Sequence, residues 1–327
     1  MKILITGGNG YIGTHITLEL LKKNYELYLI DNFSNSKKSN LNKIRSISKK
    51  KIKYFNCDLK DYRQTLKILK KINPQIVIHL AGYKSVSESQ KYKRKYFQNN
   101  VIGSKNLFKS MNQLNIKKII FSSSATIYGK PKYLPIDENH RIKSVNNYGR
   151  NKIEIEKILM KYVNHFNWSV ISLRYFNPVG SHSSSLVGDD PKSPENLMPK
   201  LCLSVKKSKS FYVFGNSFKT IDGTAIRDYI HIEDLANAHV KSIRKLKDKK
   251  FLEFNLGTGK GHSVLDVINA YEKVNKVNID VKFKNKRKGD VPIMFASSKK
   301  AKKYLGWKAK KSLNEMCKSA HMFYKNK

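Results

Sequence analysis

The chain is poor in cysteine. Its 327 residues include three, Cys57, Cys202 and Cys317, which lie far apart. Isolated cysteines in odd number argue against a disulfide framework and favour a reducing compartment, so we expect a cytoplasmic protein. The nine histidines form no short ligand spacing with one another or with cysteine, and we therefore expect no metal site.

Long apolar runs are also missing. None approaches the roughly 20 residues that a helix needs to cross a bilayer. The N-terminus enters an apolar stretch at residues 2–6 without the charged and small-residue pattern of a signal peptide. We expect no membrane partner.

Acidic residues are few, with 24 Asp and Glu against 65 Lys and Arg, which gives a net charge of +41. Such an excess can indicate nucleic-acid binding. The lysines are spread along the chain, however, and the densest run, at 49–51, falls in a predicted loop without stacking aromatics. A general compositional bias explains the charge, and we expect no nucleic-acid partner.

What is present is a regular alternation of short apolar segments and helical patterns. The apolar segments show little polar alternation, as is typical of strands covered on both faces. The pattern predicts an α/β fold, a Rossmann-type doubly wound parallel sheet with helices on both sides. We predict strands at 2–6, 26–30, 52–56, 76–80, 117–122 and 168–173, and helices at about 12–23, 61–72, 92–113 and 149–164.

The pattern changes near Asn177, where prolines, glycines and serines mark a loop-rich stretch followed by shorter elements. We predict a dinucleotide-binding domain over 1–176 and a smaller α/β substrate-binding domain over 177–327. The segment near 228–234 is a candidate for returning to the first domain. Ser263 and Asp266 have capping-box spacing, which predicts the start of a helix.

A glycine-rich turn follows the first predicted strand. Gly7, Gly10 and Gly13 suit a tight turn, close approach of the backbone to a pyrophosphate and close packing of helix on strand. Asp31 ends the second strand about 20 residues further on, where an acid bonds a ribose 2′-hydroxyl. It would repel a 2′-phosphate, so we predict NAD as the cofactor. Lys37 and Lys38, which could meet such a phosphate, are the argument for NADP.

Two further strand ends carry candidate cofactor contacts. Asp58 follows the third strand and could bond the adenine, although it could instead cap the next helix. The small residues Ala81 and Gly82 would let a backbone pass close to the dinucleotide, and Lys84 could meet a phosphate or ribose. His79, inside the fourth strand, is interpreted as a packed core histidine.

A tyrosine and a lysine four residues apart, Tyr148 and Lys152, open a predicted helix. Residues with this spacing share one helix face. A neighbouring cation favours the phenolate and lowers the pKa of a tyrosine, which makes it a better base. The serines at 122–124, at the end of an apolar strand, add a candidate hydroxyl at Ser124.

These motifs resemble those of the extended short-chain dehydrogenase/reductases, and among them those of the UDP-glucose 4-epimerases. They follow the family's order over nearly the whole chain: TGGNGYIGTH, LIDNFSNSKKS, IHLAGYKSVSES, FSSSATIYG, YGRNK, LRYFNPVGSH, NLMP, GTAIRDYIHIEDLA, FNLGTG and, more weakly, KRKGDVP. The resemblance implies reversible NAD-dependent C4 epimerisation of UDP-galactose and UDP-glucose through a 4-keto intermediate. It also implies a role in galactose metabolism and a homodimer.

The resemblance assigns roles to matching positions. It implies that Tyr148 is the base, that Lys152 binds the nicotinamide ribose and tunes Tyr148, and that Ser124 bonds the reacting hydroxyl. The implied NAD contacts are Gly7, Gly10, Tyr11, Ile12, Gly13, Asp31, Asn32, Asp58, Leu59, Leu80, Ala81, Gly82, Lys84, Asn99, Ser124, Tyr148, Lys152 and Phe176. The implied UDP-hexose contacts are Ser124, Tyr148, Asn177, Asn196, Leu197, Arg227, Arg287, Asp290 and Met294. The arginines suit a diphosphate, because guanidinium forks pair with its oxygens.

Met294 bears on sugar range. In the resembled family its position borders the C2 substituent of the sugar, where a bulky tyrosine looks like a gate against N-acetyl sugars. Methionine is long enough to fill the space, yet flexible enough to swing aside. We therefore expect a main activity on the UDP-glucose pair and weak activity on the N-acetyl pair.

Two alternatives stay open. A nucleotide-sugar 4,6-dehydratase or decarboxylase is the first, but dehydratases of this kind carry Thr-Asp-Glu where this chain has Ser124, Ala125 and Thr126. Loss of water needs an acid and a base, which Ala125 and Thr126 do not supply. The second is a non-catalytic dinucleotide-sensing regulator, which would usually have lost the Tyr148–Lys152 pair.

Overall fold

The computed structural model describes residues 1–191, 194–247, 249–287 and 289–327. Two compact units are present, each built from several segments. The first comprises Met1–Gly129, Ile142–Arg174 and Ala236–Phe254, and the second Lys130–Arg141, Tyr175–Leu235 and Asn255–Lys327. The segment that rejoins the first unit is therefore 236–254, whereas 228–234 stays in the second. The return brings in the strand Phe251–Leu256, which belongs to the large sheet.

The strands are, in chain order, β1 (Lys2–Thr6), β2 (Glu26–Asp31), β3 (Lys53–Asn56), β4 (Ile76–His79), β5 (Lys118–Ser124), β6 (Ser169–Tyr175), β7 (Asn177–Val179), β8 (Phe211–Phe214), β9 (Ile226–Arg227), β10 (Tyr229–His231), β11 (Phe251–Leu256), β12 (His262–Ser263), β13 (Val281–Lys284) and β14 (Ile293–Met294). The α-helices are α1 (Tyr11–Leu21), α2 (Ser39–Ser48), α3 (Tyr62–Ile72), α4 (Val86–Lys91), α5 (Lys93–Tyr96), α6 (Gly103–Gln113), α7 (Asn147–Phe166), α8 (Leu197–Lys206), α9 (Ile232–Ile243), α10 (Val264–Asn275), α11 (Lys299–Leu305) and α12 (Leu313–Lys325). A π-helical stretch, Phe97–Ile102, joins α5 to α6, and a 3-10 turn, Ala125–Ile127, follows β5.

Seven strands form one sheet in the order β11-β6-β5-β4-β1-β2-β3. β1 pairs in parallel with both β2 and β4, which places Ile5 beside Leu29 and Ile78. Ile3, Leu4 and Ile5 are fully buried, as expected for a strand covered on both faces. The predicted Rossmann-type parallel sheet is confirmed. Strand order reverses beside β1, and in this fold the carboxyl ends of the strands at such a point hold the ligand.

The helices that lie wholly within the first unit differ from the sequence prediction in three places. The predicted helix at 92–113 consists of three pieces, α5, the π-helical stretch and α6. Helix α2 is not predicted at all, because Ile44 is the one buried residue along it and no apolar stripe marks its sequence. The short helix α4, in which Ser89 is the buried residue, is missed for the same reason. Apolar periodicity therefore finds the helices that cover the sheet and misses polar ones.

The second unit packs short strands against helices. β7 pairs with β10, β8 pairs with β13, and β9 lies between β12 and β14. Its core includes Leu201, Phe211 and Tyr271 from α8, β8 and α10. The expected capping box starts α10, since the Ser263 side chain accepts from the backbone N–H of Asp266 and the Asp266 carboxylate accepts from that of Ser263. No helix among the described residues is both long enough and apolar enough to cross a membrane.

Candidate active site

The glycine turn between β1 and α1 is closed tightly on itself. Gly7 has a φ of +68°, and a Cβ there would lie 2.8 Å from the backbone nitrogen of Ala81. A Cβ on Gly13 would lie 2.3 Å from the carbonyl oxygen of Gly7. Gly10 precedes α1 and carries no side chain that could cap the helix. Backbone N–H groups at the start of a helix can bind an anion such as a pyrophosphate.

Asp31 is held beside this turn at the end of β2. Its Oδ2 accepts from the backbone N–H of Asn9 at 3.1 Å. Its Oδ1 accepts from the N–H of Phe33 at 2.9 Å and from the Ser36 hydroxyl at 3.0 Å. The carboxylate is thus fixed beside the glycine turn and the start of α1. Asn9 also donates to the carbonyl of Lys37 at 2.6 Å, which ties that backbone to the turn.

Asp58 lies beside Asn32 and does not cap α3. Asn32 Nδ2 donates to Asp58 Oδ2 at 3.3 Å, and the N–H of Lys60 donates to Asp58 Oδ1 at 2.9 Å. The cap of α3 is Asp61, which accepts from the N–H of Gln64 at 2.9 Å. The capping alternative for Asp58 is therefore wrong, and its carboxylate lies at the carboxyl end of β3 with Asn32. Leu59, the next predicted contact, is buried.

The loop after β4, residues 80–84, is fixed by a residue that sequence analysis misses. Asn100 Oδ1 accepts from the N–H of Tyr83 at 2.8 Å, and Asn100 Nδ2 donates to the Tyr83 carbonyl at 3.0 Å. Asn99 Nδ2 also donates to Asn100 Oδ1, at 3.0 Å. Gly82 is required here, because a Cβ would lie 3.1 Å from Asn100 Oδ1. Lys84 extends toward the glycine turn, with its Nζ 5.7 Å from the centre of the Tyr11 ring.

His79 is a core residue, as interpreted from the sequence. Its Nδ1 lies 2.7 Å from Thr6 Oγ1 and its Nε2 lies 2.8 Å from Ser104 Oγ. Burial, together with the positive charge of Lys152, lowers its pKa to about 3. The imidazole is therefore neutral at physiological pH and bridges two hydroxyl groups.

Tyr148 and Lys152 lie on the first turns of α7, near the end of β5. The helix is capped by Asn146, whose side chain accepts from the N–H of Gly149 at 2.8 Å. A Cβ on Gly149 would lie 2.8 Å from the carbonyl oxygen of Thr126, so glycine lets α7 approach the turn that follows Ser124. A larger residue at this position would push Tyr148 away from that turn.

The Lys152 side chain crosses to β5. Its Nζ donates to the carbonyl of Ser122 at 2.5 Å and lies 4.8 Å from the centre of the Phe121 ring. It lies 5.7 Å from the centre of the Tyr148 ring. Ser124 Oγ accepts from the N–H of Thr126 at 3.2 Å and from its hydroxyl at 3.0 Å. The three predicted catalytic residues thus lie within one region of the first unit.

The charges of this region depart from the sequence expectation. Burial raises the pKa of Tyr148 to about 12, although a hydrogen bond with Ser124 opposes the change. Burial lowers the pKa of Lys152 to about 7, and the negative charge of Glu156 opposes that change. Lys152 therefore does not by itself give Tyr148 a low pKa, because loss of water disfavours both charged forms. A further positive charge is needed.

Predicted sugar-nucleotide residues lie in the second unit. Arg227 on β9 faces Met294 on β14 as a register partner. Arg227 Nη1 donates to the carbonyls of Ile226 at 2.8 Å and Pro292 at 3.3 Å. Burial lowers the pKa of Arg227, and the negative charge of Asp290 opposes this. The strand pairing thus brings three predicted contacts, Arg227, Asp290 and Met294, into one neighbourhood.

The other predicted contacts of this unit lie on α8 and nearby turns. Asn196 precedes α8 and donates to Asp189 at 3.4 Å, and Leu197 is the first residue of the helix. The Arg287 guanidinium lies 4.1 Å from the centre of the Phe214 ring, which Lys200 of α8 also approaches, at 5.6 Å. Lys288, within the weaker motif, lies outside the described residues.

Two predicted contacts border β10 and β11. The N–H of Asn177 donates to the carbonyl of Asp228 at 3.0 Å. The N–H of Phe176 donates to the carbonyl of Leu256 at 3.1 Å, and the Phe176 side chain is buried.

The main residue missed by the sequence analysis is Asp228. Its Oδ1 accepts from the N–H and the hydroxyl of Thr258, both at 2.7 Å. Its Oδ2 accepts from the N–H of Gly259 at 3.0 Å and of Ala296 at 3.1 Å. The carboxylate thereby fixes the segment that holds Met294 next to the strand that holds Arg227. Among the described residues, no group of three or more His, Cys, Asp or Glu is arranged to hold a metal ion.

The first unit combines a dinucleotide-type turn with a tyrosine and a lysine on one helix face, which is the arrangement of short-chain dehydrogenase/reductase enzymes. Residues 3–257 match the NAD dependent epimerase/dehydratase family, and the chain belongs to that family. It is 44% identical over 321 residues to the UDP-glucose 4-epimerase of Bacillus subtilis, covering 97% of this chain and 95% of that protein.

Solved structures agree with this assignment. The UDP-glucose 4-epimerase of Bifidobacterium longum, in complex with NAD⁺ and UDP, superposes with a TM-score of 0.96 at 41% identity and covers 100% of this chain and 98% of its own. The UDP-Glc/GlcNAc 4-epimerase of Campylobacter jejuni superposes with a TM-score of 0.86 at 32% identity and covers 99% of each chain. The resemblance inferred from the sequence motifs is confirmed.

Proposed function

We propose that the protein catalyses the reversible NAD-dependent interconversion of UDP-galactose and UDP-glucose by inversion at C4. The observation that carries this proposal is the Tyr148–Lys152–Ser124 arrangement within a chain that is similar over nearly its full length to UDP-glucose 4-epimerases. The reaction passes through a 4-keto sugar, which must rotate before it is reduced on its opposite face.

The first unit fits NAD. The start of α1, which follows the glycine turn, suits the pyrophosphate, and Asp31, fixed by three donors, suits the ribose hydroxyls. Gly7 and Gly13 leave no room for a side chain, as close approach of a ligand to the backbone requires. When bound, NAD accepts a hydride from C4 of the sugar and returns it. Because nothing is consumed, we expect it to stay bound through turnover.

Tyr148 takes the proton from the C4 hydroxyl, and Ser124 hydrogen-bonds the same oxygen. Because burial raises the pKa of Tyr148 to about 12, that pKa must fall a long way before the phenol is half ionised at neutral pH. A protonated Lys152 would supply part of this change, and the positive charge of a bound, oxidised nicotinamide would supply more. Tyr148 would therefore be a stronger base in the protein that holds oxidised NAD than in the protein without it.

The sugar nucleotide is proposed to bind through residues of the second unit. Arg227 and Arg287 pair with diphosphate oxygens, since guanidinium groups form two parallel hydrogen bonds to such anions. Asn177, Asn196, Leu197 and Asp290 contact the remainder of UDP-hexose. Met294 borders the sugar. These roles, like those of the individual NAD contacts, are proposals supported by the family resemblance.

The alternatives are less well supported. Ala125 is buried in the 3-10 turn and carries no ionisable group, so no dehydratase-type acid stands beside Ser124 at that position. Tyr148, Lys152 and Ser124 are all present, which argues against a non-catalytic regulator. We further propose a cytoplasmic homodimer without a nucleic-acid or membrane partner.

The decisive experiment is to purify the protein and look for bound NAD after denaturation. Conversion of UDP-galactose to UDP-glucose is then measured without added cofactor. Bound NAD with conversion is expected. Bound NAD without conversion would favour a regulator, and a 4-keto-6-deoxy product would favour a dehydratase.

A further inference from the structure

Behind the Tyr148–Lys152 pair, α7 carries a buried acid. Glu156 lies one helical turn beyond Lys152, so the two side chains share the same face. Glu156 is 4% exposed and Lys152 is 5% exposed. A carboxylate enclosed to this extent needs strong partners, because burying an unpaired charge costs several kcal/mol.

The partners come from alternate residues of β6. Arg174 donates from Nε to Glu156 Oε1 at 3.1 Å and from Nη2 to Glu156 Oε2 at 2.8 Å, which makes a two-pronged ion pair. Ser172 donates to Oε1 at 2.8 Å. The third nitrogen of Arg174 donates to the Tyr128 hydroxyl at 3.0 Å, just after the 3-10 turn that follows Ser124. The Glu156 carboxylate therefore accepts three hydrogen bonds, two of them from a guanidinium group.

Among the described residues, few groups near Lys152 carry a negative charge that could balance its own positive charge. Within the described residues, the titratable groups that face it are Tyr148 and Glu156 on its own helix and His79 on β4, with Arg174 of β6 behind Glu156. His79 is neutral, and the uncharged phenol of Tyr148 offers no counter-charge. Glu156 is therefore the negative charge that opposes the loss of the Lys152 proton.

We propose that Glu156 is a positioning residue for the reaction: its carboxylate, clamped by Arg174, keeps a proton on Lys152, and the clamp fixes α7 against β6 and the turn after Ser124. This rests on the proposed function only in that the reaction needs a positively charged Lys152. Glu156 touches no reacting atom and acts through Lys152. The opposing effects of burial and of Glu156 on the pKa of Lys152 agree with this role.

The test measures the proton on Lys152 without catalysis. The free energy of unfolding of the protein without added ligands is measured from pH 5 to pH 10, with Lys152 and with Lys152→Met, and the two curves are subtracted. Because burial holds the pKa of Lys152 near 7 rather than 10.5, the stability advantage of the Lys152→Met variant grows as pH falls from 10.5 and becomes constant below about 7. The pH at which the difference levels off reports the pKa of Lys152 in the folded protein.

The free energy of unfolding is then measured against pH again, with Lys152 and with Lys152→Met, in protein that also carries Glu156→Gln. The levelling-off point is expected to move to lower pH by about one unit, because the nearby negative charge is gone. Ser172→Ala, which removes one hydrogen bond to Glu156 and no charge, should lower stability and leave that point in place. An unchanged point in Glu156→Gln would overturn the proposal and make the ion pair purely structural.

Glu156→Gln leaves Arg174 without its partner and could unfold the protein. The double variant Glu156→Leu, Arg174→Met removes both charges, a change that buried ion pairs often tolerate. It should shift the levelling-off point in the same direction but by less, and its failure to fold would reject the proposal. In turnover assays, one limb of the pH–rate profile should follow the same shift. The stability curves test the effect of Glu156 on Lys152 whether or not the protein is an epimerase.

Discussion

Two buried ionisable groups, one in each unit, differ in how completely they are hydrogen-bonded. Burial disfavours the charged form of both, since it raises the pKa of Asp228 and lowers that of Lys152. Asp228 in the second unit receives four hydrogen bonds, from Thr258, Gly259 and Ala296, and these donors occupy both of its oxygens. Lys152 in the first unit donates one bond that the structure records, to the carbonyl of Ser122. A charge whose partners are complete stabilises the fold, whereas one whose partners are incomplete can change its protonation state during a reaction.

The difference predicts which charge the fold needs. Asp228 joins backbone segments that are far apart in sequence, so its loss would leave several N–H groups unpaired. Lys152 is held against the preference of a buried amine for its neutral form, so the folded state gains little from it. Substitutions that separate stability from activity test this difference between Asp228 and Lys152.

The largest effect is expected from Tyr148→Phe. Removing the hydroxyl should lower turnover by about 10²- to 10⁴-fold, the range for loss of a general base. Stability should change by less than about 1 kcal/mol, because only the hydrogen bond with Ser124 is lost. Turnover is measured with UDP-galactose, and stability and bound NAD are measured on the same preparation. Near-normal turnover would contradict the role of Tyr148.

Asp228→Ala should be the most destabilising of these substitutions. It leaves the N–H groups of Thr258, Gly259 and Ala296 without their acceptor, at a cost of about 3 to 5 kcal/mol. Urea unfolding measures this loss. Asp280→Ala is the control in the same unit, because Asp280 is exposed and its ion pair with Lys282 should contribute less than about 1 kcal/mol. Equal losses in the two variants would mean that the hydrogen bonds to Asp228 add no stability.

Lys152→Met should change the stability of the protein in the opposite direction from Asp228→Ala. We expect it to abolish most activity yet to stabilise the protein at pH 7 by about 1 to 3 kcal/mol, since the buried amine no longer has to lose or hold a proton. The gain should shrink as pH rises from 7 through 10.5, because over this range the amine is already neutral in the folded state and loses its proton in the unfolded state. Lys157→Met, an exposed position on the same helix, should change stability by less than about 0.5 kcal/mol at every pH. Destabilisation by Lys152→Met would contradict the expectation that the fold needs Asp228 but not Lys152.

The smallest effect is expected at Met294, two residues before Ala296, whose backbone Asp228 holds. Met294→Tyr should remove the weak activity on the N-acetyl pair and spare the main one, whereas Met294→Ser should raise it by about tenfold. The measurement is the ratio of kcat/KM for the two sugar pairs, with thermal unfolding as a check that the backbone is unchanged. If both variants leave the ratio unchanged, Met294 does not border the sugar.

Sequence patterns predict the part of the molecule that depends on local order. The apolar runs locate the strands of the large sheet, and the spacing of Tyr148 and Lys152 places both on one face of α7. The glycine turn and Asp31 follow for the same reason, since a tight turn and the end of a strand are local features. The individual roles of the sugar-nucleotide contacts stay predictions.

Other features depend on partners that no local pattern reveals. The donors to Asp228 come from Thr258, Gly259 and Ala296, and the partner of Glu156 lies on another element. The charge state near Tyr148 is set by burial, which the pairing of a tyrosine with a lysine does not convey. The segment at 236–254 rejoins the first unit because β11 belongs to the large sheet, a fact of topology.

The π-helical stretch at Phe97–Ile102 has a consequence for insertions and deletions. A π turn holds one residue more than an α turn, so the helical segments on its two sides are out of phase. Before it, Tyr96 donates to Glu88 at 2.8 Å, and within it Asn100 holds both backbone groups of Tyr83. If all residues were kept and the π turn became α-helical, Tyr96 would rotate by about 100° relative to α6, whereas deleting one residue within the π turn would give a regular helix in which Tyr96 keeps its orientation. The extra residue is thus accommodated without turning Tyr96 and Asn100 away from their partners Glu88 and Tyr83.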